Sequence, residues 1–357
     1  MYFINRLRAG KNTKPRRNSL LNSVHCLNLH FQFTMARILT GIQSTGIPHL
    51  GNILGAIVPA IKMAENPANE SFLFIADLHS LTQIKDGSLM RQNTLSVAAT
   101  WLACGLDTSK SVFYRQSDIP ETCELAWYLS CFFPYQRLTL AHSFKDKADR
   151  LEDVNAGLFS YPMLMAADIL LYDADYVPVG KDQLQHLEMT RDAASRFNHK
   201  MGDVFVIPKE QVQTETMNVP GTDGQKMSKS RNNYINIFLP EKELKNVINK
   251  QILTDASSLE DSKNPDTAAV YNIYKLIADA DQSQEMRNKL LAGGYGWGHA
   301  KKDLLDAVLS RFTDERLKYD HYMQNPAIVE EELKKGAEKA QKIASVVMHR
   351  VREKIGY

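Results

Sequence analysis

The stretch from Arg37 to Ile57 constrains this chain most. Ile38 to Thr40 is a short apolar run with a β-branched end, the pattern of a buried strand. Gly41, Gly46 and Pro48 then break the chain into a loop, and from Asn52 apolar residues return at the mixed spacing of a helix packed on a sheet. A strand, a glycine-containing loop and a helix start bring unpaired N–H groups and the positive end of a helix dipole to one point, where a phosphate is favoured. His49 directly precedes that helix, and Gly51 permits close approach of backbone to a ligand. Pro59 falls inside the predicted helix Asn52–Met63 and should kink or shorten it.

A second stretch, far along the chain, reads Gly224-Gln225-Lys226-Met227-Ser228-Lys229-Ser230 and follows the loop Pro220-Gly221-Thr222-Asp223. Two lysines flanking Met-Ser in a mobile loop make a cationic clamp suited to polyphosphate. In this order the two stretches resemble the HIGH and KMSKS signatures of class I aminoacyl-tRNA synthetases. The Lys-Met-Ser-Lys-Ser match is complete, whereas the first signature departs at its last position, where Asn52 stands for histidine.

Between them, strand and helix patterns alternate. Ser71 to Asp77 reads as a second buried strand, Met90 to Leu102 as a helix stopped by Gly105, and Ser111 to Ser117 as a third strand ending in polar Gln116. Such alternation predicts an α/β fold with a Rossmann-like, doubly wound parallel sheet, whose ligands bind outside the carboxyl ends of the strands. Asp77 and His79 fall at such an end, which makes His79 a candidate substrate contact. The apolar and aromatic segment Glu124 to Phe133 reads as core or subunit interface, and the weakly charged stretch Trp127 to Tyr135 suits contact with a second copy. The charged stretch 144–155 reads as a solvated loop, with Lys145 and Lys147 within reach of phosphate.

Substrate choice is carried by the block from Tyr161 to His186. Tyr161, Met165 and Asp168 recur at steps of four and three and share one helix face. A carboxylate on an apolar face is either paired within the protein or a ligand group, because a lone buried charge is costly. As an acceptor it suits a substrate that offers one N–H in an apolar body, as an indole does. Tyr176 to Val179 is a further strand, with Gly180-Lys181-Asp182-Gln183 at its carboxyl end; there Asp182 suits ribose hydroxyls and Gln183 an amino group.

Met165-Ala-Ala-Asp168-Ile-Leu-Leu-Tyr172, followed by Val177-Pro-Val-Gly180, resembles the bacterial tryptophanyl-tRNA synthetase family, and the similarity runs through nearly all of residues 35–357. The resemblance implies that Asp168 binds the indole N–H, with Tyr161 and Gln183 near the amino-acid head and Met165 and His79 beside them. It implies ATP contacts at Gln43, Ser44, Thr45, Gly51, Asn52, Gly180, Lys181, Asp182, Met217, Lys226, Met227, Ser228, Lys229 and Ser230. Bacterial members often carry Gly-Asn where other class I enzymes carry Gly-His, as here. The implied chemistry is activation of L-tryptophan with ATP and transfer to the 3′ end of tRNA(Trp), with His49, Lys226 and Lys229 as catalytic groups, Mg²⁺ carried by ATP and no protein-bound metal. Tyrosine is the nearest rival substrate, but Met165 puts an apolar group where a partner for a phenol hydroxyl would stand. A non-synthetase nucleotidyltransferase is disfavoured by the complete Lys-Met-Ser-Lys-Ser, and an inactive RNA-binding paralogue by both signatures together.

At 357 residues with 44% apolar content the chain is expected to hold two domains. These are a Rossmann catalytic domain over 35–218 and a helical anticodon-binding region over 236–357, joined by the lysine loop and linker 219–235. The last helix of that region is a candidate to pack back on the catalytic domain. Its apolar face is Leu333, Ala337, Ala340, Ala344, Val347 and Val351, and a further helix is read over Lys301–Tyr319. The net charge of +2 excludes a global polycation, so RNA must be met by a local patch; neither DNA nor a membrane is expected as a partner. Four cysteines without metal spacing read as reduced thiols of a cytoplasmic protein, and a homodimer is expected from the family. Residues 1–34 are basic, and the first acid in the chain is Glu65. They are expected to be a disordered extension, best explained by a start placed ahead of Met35, with a targeting leader or an RNA-binding arm as the alternatives.

Overall fold

The computed structural model describes residues 35–141, 154–180, 183–212 and 218–357. Five parallel strands form one sheet: β1 (Ala36–Gln43), β2 (Asn69–Ala76), β3 (Ser111–Arg115), β4 (Tyr176–Val179) and β5 (Lys209–Val212), in the order β3-β2-β1-β4-β5. β1 and β2 pair over their full lengths, Ala36 opposite Asn69 through Gln43 opposite Ala76. Buried Phe72, Leu73, Phe74 and Ile75 are consecutive, as a strand covered by helices on both faces requires. The order reverses between β1 and β4, and this switch point opens a crevice at the carboxyl ends of the strands. β5 begins with Lys-Glu-Gln at the sheet edge and carries no apolar run, so periodicity did not reveal it.

The first helix differs from a simple proline kink. Leu50–Asn52 is α-helical, Ile53–Ile57 is a π-turn and Val58–Ala64 is α-helical again, with Pro59 in the first turn of that last segment. A widened turn placed before the proline lets a residue without an N–H begin a fresh helical segment, where that group would have no partner anyway.

The segment expected as one helix over Lys301–Tyr319 is two, Trp297–Arg311 and Thr313–Gln324, separated at Phe312 (φ −110°, ψ 22°). The break lets Tyr319 stack on Phe238 with ring centroids 3.9 Å apart and share a 2.8 Å hydrogen bond with Ser96. Burial of those contacts outweighs helix continuity. The final helix, Pro326–Ile355, packs across β3. Gly336 makes this possible, since a side-chain carbon there would lie 1.7 Å from the carbonyl oxygen of Phe113. Leu333, Ala340, Ala344, Val347 and Val351 are buried along the same face, and Arg352 pairs with Glu124 and Arg350 with Asp173. Residues 35–357 form one compact unit. Among the described residues no helix is long and apolar enough to cross a membrane.

Candidate active site

The loop after β1 and the lysine loop face each other across a cleft of about 950 Å³. Gln43, Thr45, His49, Gly51, Asn52, Lys226, Met227, Ser228, Lys229 and Ser230 all line it, together with Gln83 and Arg231. Ser44 does not. Its N–H donates to Ser80 Oγ at 3.0 Å and its hydroxyl lies 3.2 Å from the same oxygen, fully buried, so it braces the loop from inside. Gly180 directly follows β4, and its carbonyl accepts from the Gln183 N–H. Lys181, Asp182 and Met217 lie outside the described residues, as do Lys145 and Lys147.

His49 caps the helix: Nδ1 accepts from the Asn52 N–H at 3.2 Å, and the Asn52 side chain accepts from the His49 N–H. Burial, with Lys229 nearby, lowers the His49 pKa to about 4, so the ring is neutral at physiological pH. With Nδ1 accepting, the proton is on Nε2, a donor that remains for an oxyanion. Lys229 lies over the first loop, its Nζ 3.3 Å from where a side-chain carbon on Gly46 would be. Burial lowers its pKa to about 8, leaving a poorly solvated ammonium that gains by meeting an anion.

Asn233, which sequence reading passed over, holds the lysine loop. Its amide donates to Asp223 at 2.6 Å and to the Lys226 carbonyl at 3.2 Å, while its oxygen accepts from the Ser228 N–H at 2.8 Å. Met227 N–H donates to the Val219 carbonyl, closing a short hairpin, and Leu50 N–H donates to the Ile235 carbonyl beside it. The two signatures are thereby fixed to one another through backbone.

The second part of the site surrounds Asp168, which is 5% exposed. Of the two alternatives open in the sequence, pairing within the protein is present: Gln116 Nε2 donates to both carboxylate oxygens, at 2.9 and 2.8 Å. Gln116 in turn accepts from the His79 N–H at 3.1 Å. Its strand-end position was visible in sequence, but its partner comes from a helix 52 positions later. Burial pushes the Asp168 pKa well above the usual carboxylate range, and Asp77 adds to this, while the Gln116 hydrogen bond opposes it. Asp77 itself accepts from Ser117 N–H and hydroxyl, a strand-end clasp. His79 lies edge-on to Tyr161 at 4.7 Å, Tyr161 meets His186, and His186 meets Gln183. Met165 is half-buried against the core on the same helix. Ser80, next to His79, is the residue that braces Ser44, so the two parts share a wall.

A nucleotide cleft at the switch point of a parallel sheet, closed by a lysine loop and flanked by a buried acceptor, defines a class I nucleotide-activating enzyme. A family model described as tRNA synthetases class I (W and Y) matches residues 34–313. The tryptophan–tRNA ligase of Neisseria meningitidis is 42% identical over 329 residues, 90% of this chain and 97% of that protein. That of Campylobacter jejuni strain RM1221 is 45% identical over 320 residues, 90% of this chain and 99% of its own. The solved structure of tryptophanyl-tRNA synthetase from Campylobacter jejuni complexed with ADP and tryptophan matches with a TM-score of 0.86 at 44% identity, covering 90% of this chain and 100% of that one. The chain belongs to the class I tRNA synthetases of the tryptophan and tyrosine family, and within it to the bacterial tryptophanyl type.

Proposed function

We propose that this tryptophan–tRNA ligase performs its reaction with the two clusters in separate roles. L-Tryptophan places its indole N–H on Asp168 and its ammonium at Tyr161 and Gln183. ATP, bound with Mg²⁺ as the substrate, lies in the cleft between the two loops. The tryptophan carboxylate attacks the α-phosphate in line, and diphosphate leaves to give tryptophanyl-adenylate; the 3′ end of tRNA(Trp) then attacks the acyl carbon and AMP leaves. Little covalent chemistry falls to the protein, which aligns the reactants and offsets charge. His49 Nε2–H and the helix N-terminus serve the phosphates, and Lys226 and Lys229 the departing diphosphate.

The observation that carries this reading is the buried Asp168 carboxylate, which has an acceptor to offer and lies on one helix face with Tyr161. ATP–diphosphate exchange run in parallel with tryptophan and tyrosine tests it. Exchange with tryptophan is expected; equal exchange with tyrosine overturns the assignment. The enzyme is read as a cytoplasmic homodimer. Trp127, Tyr135 and Leu140 are 69%, 66% and 52% exposed, a large apolar display for a monomer surface. Sedimentation at micromolar concentration checks this, a monomer being the adverse result.

A further inference from the structure

Lys263 does not line the ATP cleft, yet it is 1% exposed. Its ammonium donates to the carbonyls of Ser258 at 2.7 Å, Asp261 at 2.8 Å and Leu259 at 3.3 Å. An ammonium has three donors and no lone pair, so three carbonyls match it completely. The Lys263 backbone N–H donates to the Leu290 carbonyl at 2.7 Å, in the last turn of the helix Ala280–Ala292. Trp297 opens the next helix, with its ring centroid 5.8 Å from the ammonium and its Nε1 donating to Asp255 at 3.0 Å.

These contacts order a segment that has no core of its own. Residues 253–262 hold no helix or strand and no buried side chain. Asp255 accepts from the Ser257 N–H and Asp261 from the Ser258 N–H, which makes local turns. The ammonium then gathers the carbonyls of those turns at one point. Gly293 lets the segment press on the helix end, since a side-chain carbon there would overlap the Glu260 carbonyl oxygen.

The same segment starts at the lysine loop. Leu253 N–H donates to the Thr222 carbonyl at 2.8 Å, and Thr222 N–H donates to the Asn233 carbonyl at 2.9 Å. Thr222 is 3% exposed and stands at the foot of the turn that leads to Lys226. Asn233 is also the side chain that binds the Lys226 carbonyl and the Ser228 N–H. The foot of the lysine loop is thus gripped from two sides, by Asn233 and by the segment that Lys263 holds.

We propose that Lys263 is a positioning residue for ATP binding: its buried ammonium gives the segment 253–263 one shape, and the Leu253 N–H at the start of that segment sets where the lysine loop stands over the cleft. A loop pinned at its foot loses less freedom when it closes on phosphate. The benefit falls on ATP and leaves tryptophan alone, because Asp168 and its neighbours lie on other elements.

This inference rests on the reading of the lysine loop as the ATP clamp, and Lys229→Ala in the same exchange assay tests that reading by itself. Lys263→Met keeps the stem and removes the ammonium. Leu253→Pro removes the N–H that Thr222 accepts. Leu253 is 63% exposed, and Ile252 before it has φ −69° and ψ 116°, a conformation that suits a residue preceding proline. Leu253→Ala keeps the N–H and is the control.

ATP–diphosphate exchange and thermal melting are measured on each variant and on the double variant Lys263→Met/Leu253→Pro. KM for ATP is expected to rise about fivefold or more in Lys263→Met and in Leu253→Pro, and to stay within about twofold in Leu253→Ala. KM for tryptophan is expected to hold within about twofold throughout. Both changes cut one path, so the double variant is expected to lie within about twofold of the worse single variant. Leu253→Pro behaving as Leu253→Ala, while Lys229→Ala impairs the use of ATP, overturns the inference and leaves the clamp standing. Equal rises in KM for ATP and tryptophan, or effects that multiply in the double variant, overturn it as well. If Lys263→Met does not fold, Lys263→Gln, with two donors in place of three, takes its place and the same results decide.

Discussion

The backbone N–H of Gly51 donates to the sulfur of Met227 at 3.2 Å, joining two loops that are 176 positions apart. That N–H belongs to the helix start that the phosphates of ATP would approach. Thioether sulfur is a weak acceptor, so a phosphate oxygen displaces it at little cost. Met227 therefore holds the lysine loop over the cleft without competing strongly for the site.

Gly51→Ala tests this closeness. An added methyl carbon would lie 3.0 Å from the His49 ring and 3.3 Å from Met227 Cβ. Neither neighbour can retreat freely, since His49 is tied by its cap and Met227 by its hairpin. KM for ATP is expected to rise by about tenfold or more in diphosphate exchange, with a fall in melting temperature from the overpacking. Wild-type ATP kinetics would show that the two loops separate without penalty.

Lys229→Ala is expected to slow adenylate formation far more than it weakens tryptophan binding, with a loss of about 2–4 kcal/mol of barrier stabilisation. Equal losses in affinity and rate would remove Lys229 from the transition state.

Acid–base behaviour at Lys229 gives a separate test. With a pKa lowered to about 8, the free enzyme carries the ammonium below that pH and loses it as pH rises. Its attraction for phosphate is thus full below about 8 and declines above it, and kcat/KM for ATP should fall on the alkaline side. Lys229→Arg keeps its charge there and should move or abolish this limb. A limb identical in both variants would assign it to another group.

Asp168→Ala leaves the buried Gln116 amide without its acceptor, at a cost of about 1–3 kcal/mol in stability whether or not Asp168 binds substrate. Stability therefore cannot distinguish a ligand from a structural carboxylate. The tryptophan-to-phenylalanine ratio of kcat/KM can, and it is expected to fall by a factor on the order of 10² or more. An unchanged ratio ends the indole assignment.

Gly336→Ala should destabilise the fold by about 3 kcal/mol or more, because its methyl overlaps the Phe113 carbonyl and the helix must lift from β3. Denaturant unfolding measures it; a loss below about 1 kcal/mol would mean the helix shifts freely.

Sequence alone determined the alternation of strands and helices in the first half, since periodicity and glycine breaks are local properties read within a few residues. It also marked the two loops, His49, Lys226, Lys229 and the helix face bearing Tyr161, Met165 and Asp168, because these residues stand close together within short motifs. Tertiary structure decided which of these groups share a surface. Ser44 has the chemistry of a phosphate contact, but its chain direction turns it toward Ser80. Gln116 and Asn233 are ordinary polar residues in the sequence; one reaches across 52 positions to Asp168, and the other ties the lysine loop to itself. The break at Phe312 arises from what Tyr319 can bury against Phe238, a partner far away in the chain. Buried hydrogen-bond partners are set by three-dimensional proximity, which local spacing does not encode.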